Sequence, residues 1–238
     1  WSWSRGLGDV YKRQGIRSYN PLPKINSSSI DDAVRLINKA KKPFIVWGQG
    51  VILGNAEDEF KSFVEKSGIP AAWTILGVSA LPTSHELNVG MVGMHGNYGP
   101  NLLTNECDLL VAIGMRFDDR VTGDPKTYAN QAKIIHLDID PAEINKNIKV
   151  EVPIIGDCKE SLKLITDKID KRSHEKWISK FDDLMKIEFD KVINSDLNPS
   201  KKGLTMGESI IAINEQTNGE AIIVTDVGQH QMLSLIHI

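Results

Sequence analysis

The chain has 238 residues, enough for one large domain or for one domain and part of another. With 41% hydrophobic and 25% charged residues the sequence is globular, and a formal net charge of −3 gives no basis for binding nucleic acid or an anionic membrane. Its two cysteines, Cys107 and Cys158, lie far apart with no CxxC pair and no zinc-spaced His/Cys cluster, and no apolar run approaches the roughly 20 residues of a membrane helix. Lone thiols fit a reducing cytosol.

Trp1 to Gln14 (WSWSRGLGDVYKRQ) has neither the apolar centre of a signal peptide nor a helical stripe, and Leu233 to Ile238 (LSLIHI) breaks off just after a motif described below. Both segments have the texture of translated sequencing adapter. They read either as such non-native tails or as natural flexible ones and are set aside from the fold reasoning; on the first reading the natural protein is expected to continue past both ends.

From Gly15 the pattern is regular. Asn20-Pro21-Leu22-Pro23 reads as an extended approach. Ser29 and Asp32 start a helix with Ile30, Ala33, Val34 and Ile37 on one face, stopped by Pro43. Phe44–Trp47 is a wholly apolar strand, followed by a turn at Gly48-Gln49-Gly50. A helix opens at Asn55 and Asp58 and ends at Gly68, and Ala71–Leu76 is the next strand. The glycine-rich stretch 77–99 is long for a connection, so it is read as functional or as holding short elements without a clear pattern. A helix over Leu102–Glu106, strands at Leu109–Ile113 and Ile134–Ile139, a short helix at Pro141–Asn145, a strand at Val152–Ile155 and a helix at Cys158–Ile169 follow. Strands alternating with helices predict an α/β fold: a doubly wound, Rossmann-like, parallel six-stranded sheet over residues 15–170.

The texture then changes. Residues 171–204 read as a helical linker, with an amphipathic helix over Ser173–Ile193 and a polar stretch containing Pro199. Residues 205–232 read as the start of a second α/β domain: a helix opened by a Thr205/Glu208 capping box, a buried strand at Ala221–Thr225, then Asp226-Val227-Gly228-Gln229-His230. One helix and one strand cannot close a core.

Ligands of open parallel sheets sit outside the carboxyl ends of the strands. Gly48-Gln49-Gly50 is either a close approach for a phosphate or ring, or only a tight turn, since Leu53 stands where GxGxxG needs its third glycine. The run 114–123 (GMRFDDRVTG) crowds two arginines and two aspartates at a strand end, either to grip an anion or as a surface salt-bridge cluster. Asp138 is placed to accept hydrogen bonds from ribose hydroxyls, beside an Asp140-Pro141 helix cap, and Asp157 is a second candidate that also caps a helix. His95, in Gly93-Met94-His95-Gly96, is a loop histidine that is either solvated or functional.

The segments WGQGV, GMVGMHG, ECDLLVAIGMRFDDRVTG, HLDIDPAEINKN, VPIIGD and VTDVGQHQM occur in this order, and together they resemble the catalytic large subunit of the acetolactate synthase (acetohydroxyacid synthase) family of thiamine-diphosphate enzymes. The resemblance runs from about Gly15 to Met232 and implies that the chain is a fragment: an FAD-binding middle domain and the first steps of a thiamine-diphosphate-binding domain. It implies Gly48, Gln49 and Gly50 near the flavin diphosphate, Thr74, Ile75 and Leu76 along the ligand, and Gly93, Met94, His95 and Gly96 toward the flavin. Gly114, Met115, Arg116, Asp118, Arg120 and Val121 would form the central wall. Asp138 and Ile139 would hold the ribose–adenine part, and Asp157 and Cys158 would close that end. Gly228, Gln229 and His230, with Gln231, match the segment that meets the thiamine diphosphate phosphates. Two residues depart from the family pattern: Met115 stands for a small residue and Gln49 for glycine or alanine.

The family condenses two pyruvates, or pyruvate and 2-oxobutyrate, with loss of CO2, in branched-chain amino acid biosynthesis. Its FAD is structural, and its thiamine diphosphate is held with Mg2+. The catalytic glutamate and the Gly-Asp-Gly…Asn segment of the family have no counterpart here, so the chain alone is expected to be inactive. The parent is expected to be a cytoplasmic homodimer or homotetramer, with a small regulatory subunit as a further partner; organelle targeting stays open. The alternatives are another flavin-containing relative of the pyruvate oxidase or glyoxylate carboligase type, and a non-catalytic nucleotide-binding module.

Overall fold

The structure, a computed structural model, describes residues 21–200 and 203–237, and side chains as far as residue 234. The segment 1–14, Asn20 and Ile238 lie outside the described residues. Six strands form one all-parallel sheet: β1 (Pro43–Trp47), β2 (Ala71–Trp73), β3 (Asn88–Met91), β4 (Leu109–Ile113), β5 (Lys133–Asp138) and β6 (Val152–Ile155). Their order is β3-β2-β1-β4-β5-β6. The chain runs outward from β1 in one direction, then returns and continues from β4 in the other, so the order reverses between β1 and β4. Every residue of these two central strands is buried, as their unbroken apolar sequences require of a sheet covered on both faces.

Alternate side chains feed two cores. Ile45, Trp47, Val111 and Ile113 join the face covered by α1 (Ser27–Lys39), α3 (Glu57–Ser67) and α6 (Cys158–Lys168); α2 (Gln49–Leu53) is a short turn between β1 and α3. Phe44, Val46, Leu110 and Ala112 join the other face with Leu103 of α4 (Tyr98–Leu103) and with Trp177 and Phe181 of α7 (Glu175–Glu188). Between α4 and α6 stands α5 (Asp119–Thr122), a single turn. Gly68 ends α3 in the left-handed region at φ 63°, as its sequence position predicts.

Several boundaries differ from the sequence reading. Helix α1 starts earlier, because Asn26 rather than Ser29 is its cap: the Asn26 side chain accepts the Ser28 N–H at 3.0 Å. Strand β2 ends at Trp73, where Thr74 N–H donates to Trp47 O and the chain curls into a 3-10 turn at Ile75–Gly77, fixed by the Trp47 indole donating to Gly77 O at 2.8 Å. The glycine-rich stretch contains β3, and the following helix spans Tyr98–Leu103 rather than Leu102–Glu106. The linker helix stops at Glu188 and passes through a π turn (Phe189–Ile193) into α8 (Asn194–Leu197). The Thr205/Glu208 capping box opens α9 (Met206–Gln216) as expected. Ala221–Thr225 forms no strand: it is irregular, with Ile222 and Val224 exposed, and no described strand pairs with it. The last helix, α10 (Gln229–His237), runs through most of the segment read as a tail.

Phe181 fastens α7 to the sheet. It is fully buried, 5.2 Å from the Phe44 ring and edge-on to Trp177 at 5.3 Å. Phe181→Ala is expected to cost about 3–5 kcal/mol in urea unfolding. A loss below about 1 kcal/mol is incompatible with α7 as a core element.

Candidate functional site

A cleft of about 610 Å³ lies across the carboxyl ends of the strands. The turn after β1 contributes Gln49, Gly50, Leu53 and Gly54, and the turn after β2 contributes Thr74, Ile75 and Leu76. The loop after β4 contributes Gly114, Met115, Arg116, Asp118, Arg120 and Val121. The end of β5 contributes Leu137, Asp138 and Ile139, and the turn after β6 contributes Gly156, Asp157 and Cys158. This is the crevice at which the strand order reverses.

The floor is made of backbone. Gly48 N–H donates to Ile113 O at 3.0 Å, Gly50 N–H to Gly114 O at 2.8 Å, and Gly114 N–H to Leu137 O at 2.8 Å. Gly114 has φ +57°, and a Cβ on Gly50 would stand 2.5 Å from Gly114 Cα. The glycines after β1 therefore serve the packing of two loops, and the Gly50 amide is already engaged. Gly48 lies beneath the cleft rather than on its surface. Large apolar side chains form the rim: Leu22, Leu53, Ile75, Leu76 and Ile139 are each at least 43% exposed. Exposed apolar residues gathered in one concavity mark a binding surface.

The polar wall comes from the loop after β4. Met115 and Phe117 point into the core, at 3% and 4% exposure, and Arg116 and Asp118 point outward. Met115 lines the cleft yet is buried, in the same core cluster as Phe44, Val46 and Phe117. Arg116, exposed, stands 3.9 Å from the half-buried Asp118, a pair that contributes little by itself and leaves the guanidinium able to meet an anion. Asp118 caps α5 by accepting the Arg120 N–H at 3.0 Å.

At the end of β5, Asp138 directs one carboxylate oxygen to the Asp140 N–H at 2.9 Å and the other toward His136 Nε2 at 3.7 Å. Burial raises the Asp138 carboxyl, partly offset by the Asp140 N–H. His136 escaped the sequence reading. It is fully buried, 2.9 Å from Met115 O through Nε2, and its Nδ1 has no partner among the described residues. A carbonyl can only accept, so Nε2 carries the proton and donates. The visible signal was a histidine inside the apolar run Ile134-Ile135-His136-Leu137. Asp157 caps α6 through the Glu160 N–H at 3.0 Å. Cys158 is buried, its thiol pushed up to about 12 by desolvation first and then by Asp157, so it is a lining group and not a nucleophile.

Gly93–Gly96 does not line the cleft. It forms a turn behind the wall, joined to it by the Met94 N–H donating to Arg120 O at 2.8 Å, with Met94 59% exposed. Gly228, Gln229 and His230 sit at the start of α10, outside the cleft. Among the described residues no three His, Cys, Asp or Glu side chains gather as metal ligands, and no helix is long and apolar enough to cross a membrane.

A parallel sheet of this order with a crevice at its reversal point is a doubly wound α/β domain. Residues 30–165 match the family model of the thiamine pyrophosphate enzyme central domain, and the chain belongs to that family. It is 43% identical over 223 residues to the acetolactate synthase large subunit of Corynebacterium glutamicum, covering 91% of this chain and 35% of that protein. It is 38% identical over 229 residues to the acetolactate synthase large subunit of Buchnera aphidicola from Schizaphis graminum (93% and 39%). It is 40% identical over 229 residues to the chloroplastic acetolactate synthase of Arabidopsis thaliana (92% and 32%). The chain spans 32–39% of the length of these relatives.

The buried imidazole makes a pH prediction. Desolvation, the largest effect, lowers His136 below its ordinary 6.5, against the upward pull of the Met115 carbonyl and Asp138. Below pH 6.5 the unfolded chain takes up a proton that the folded chain refuses, so stability is whole above that pH and falls as pH drops beneath it. His174, also lowered by desolvation, acts in the same direction, and the raised Asp138 acts oppositely as pH rises through its folded value. In His136→Gln, which keeps an N–H donor for Met115 O, the fall in urea-unfolding stability from pH 6.5 to about pH 5 is expected to shrink. An unchanged slope removes His136 from this role.

Proposed function

We propose that this chain is the FAD-binding middle domain, and the first part of the thiamine-diphosphate-binding domain, of an acetolactate synthase large subunit. The parent enzyme condenses two pyruvates, or pyruvate and 2-oxobutyrate, to a 2-acetohydroxy acid with release of CO2, in branched-chain amino acid biosynthesis. Thiamine diphosphate, with Mg2+, supplies the electron sink for decarboxylation there. The observation that carries this reading is a coincidence of position: the cleft is lined by the residues the family motifs assign to FAD, all but Gly48 and the Gly93–Gly96 turn.

The chemistry of the lining fits FAD. Ile75, Leu76, Leu53 and Ile139 offer apolar surface for flat rings. Arg116 supplies a guanidinium for the diphosphate, and Asp138 a partly buried carboxylate for a vicinal diol. The side-chain-free floor at Gly50 and Gly114 lets an extended ligand lie close to the backbone. In this reading the chain's residues bind and orient and do no proton transfer, and the isolated chain is inactive. Gly228, Gln229 and His230 hold the thiamine diphosphate phosphates only within the whole parent, which we take to be a cytoplasmic homodimer or homotetramer with a small regulatory subunit. The Arabidopsis relative, named as chloroplastic, exemplifies an organelle form.

Titration of the full chain with FAD, read by flavin fluorescence and by thermal unfolding, tests the reading. Added stability of about 2.7 kcal/mol is expected at one hundred times Kd. Arg116→Ala should weaken FAD about tenfold or more, the loss of a charge-assisted contact. A folded chain whose unfolding temperature does not respond to FAD would falsify the assignment, and turnover of pyruvate by the purified chain would contradict its inactivity.

A further inference from the structure

The Gly93–Gly96 turn stands outside the cleft, yet two asparagines of one short helix grip it and its approach. Asn101 brackets Gly93, donating from Nδ2 to its carbonyl at 2.8 Å and accepting its N–H at 2.9 Å. Asn97 occupies the N-cap position of α4 but does not cap it. Its Oδ1 accepts the Met91 N–H at 2.9 Å, and its own N–H donates to Met91 O at 2.8 Å. Gly90, at φ +103°, is needed there, since a Cβ would stand 2.4 Å from Asn97 Oδ1.

The missing cap arrives from far along the chain. Glu188, the last residue of α7, accepts the Tyr98 N–H on Oε1 at 3.0 Å and the Asn97 Nδ2–H on Oε2 at 3.3 Å. Gly99 faces the same helix, where a Cβ would make an ordinary contact with Leu184 Cβ at 3.4 Å. On its opposite side the turn reaches the cleft wall. Met94 N–H donates to Arg120 O, and a Cβ on Gly93 would stand 2.7 Å from that same oxygen.

We propose that Glu188 is a positioning residue for the cleft: through Asn97 and α4 it fixes the Gly93–Gly96 turn, and through the Met94 N–H the turn holds Arg120 in the wall. A carboxylate suits the place, because both groups facing it donate and one belongs to the first turn of a helix. Its location matters equally. Glu188 ends the helix that Phe181 and Trp177 anchor on the sheet and is followed at once by the π turn Phe189–Ile193, so its contact lies where the chain turns away toward α9. The part of this proposal that concerns ligand affinity rests on the FAD reading; the part that concerns the turn does not.

Amide hydrogen exchange on the full chain, with FAD titration, tests it in wild type, Glu188→Ala and Glu188→Gln. In Glu188→Ala, exchange at the Tyr98, Met91, Gly93 and Met94 amides is expected to rise about tenfold, with β1 and β4 unchanged, and FAD affinity to fall about three- to tenfold. Glu188→Gln keeps one acceptor and should restore Tyr98 protection with part of the affinity. Faster exchange at Tyr98 alone overturns the relay, as does a uniform rise across the sheet, which would mark lost stability only. Unchanged FAD affinity with a loosened turn overturns the link to Arg120. If wild type binds no FAD, the flavin reading fails while the amide pattern still decides the relay. If the alanine variant does not fold, the glutamine variant decides by the same amides.

Discussion

Gly50 and Gly114 meet backbone to backbone. A Cβ on Gly50 would fall 2.5 Å from Gly114 Cα, and one on Gly114 would fall 2.7 Å from Gly50 Cα. This contact draws together the loops leaving β1 and β4, the two strands between which the sheet reverses its order. Hydrogen bonds from Gly48 to Ile113, from Gly50 to Gly114 and from Gly114 to Leu137 then make one continuous floor of the ends of β1, β4 and β5. Gly50 and Gly114 add no side chain to that floor, and Leu53, Ile75, Leu76 and Ile139 stand exposed at the rim. The cleft is the geometric consequence of two glycines packing where two larger residues cannot.

The polar groups of the cleft divide by solvent. Arg116 sits in water, where its pairing with Asp118 is screened and weak. Its orientation is nonetheless set from below. Met115 and Phe117 anchor on either side of it, Met115 O accepts from the dry His136, Phe117 packs edge-on to that imidazole at 4.9 Å, and the Asn147 amide donates to Phe117 O at 2.7 Å. An arginine held on a rigid strap but left wet contributes little until something covers it. A ligand that closes the cleft lowers the local dielectric and strengthens the contact as it forms. Rigidity below and exposure above are the arrangement a binding arginine requires.

Much of this was legible in the sequence because it depends on local signals. The unbroken apolar runs of β1, β4 and β6, the Gly68 stop, and the Asp157 and Thr205 caps are all written within a few residues. Strand β2 was read too long because Thr74-Ile75-Leu76 continues its apolar character, while the curl that ends it depends on Trp47, far off in sequence. The Gly93–Gly96 turn is placed toward the flavin by the family resemblance alone, and within the chain its glycines answer to the backbone oxygens of Arg120, far off in sequence, and of Met91. Glu188 had no signal: its partners stand 90 and 91 residues away, and on its own helix it reads as one more solvated carboxylate.

The two parts of the chain differ in how their apolar residues are resolved, and the difference is physical rather than compositional. In the sheet domain Phe44, Ile45, Val46 and Trp47 are wholly buried because each face of β1 meets helices and each edge meets a strand. Ala221–Thr225 carries the same kind of sequence, yet Ile222 is 92% and Val224 88% exposed, and Val227 just after them is exposed too. A buried strand needs neighbours for its amides as well as cover for its side chains, and among the described residues this segment has neither. Each large aliphatic left in water forgoes about 1.5–3 kcal/mol that burial would contribute. An apolar run in that state is a strand by sequence and coil by circumstance. On the reading proposed above its missing neighbours are the remaining strands of the thiamine-diphosphate domain, which would convert that exposed surface into core and bring Gly228, Gln229 and His230 to the carboxyl end of a sheet, the position from which the residues after β1 and β4 already shape the first cleft.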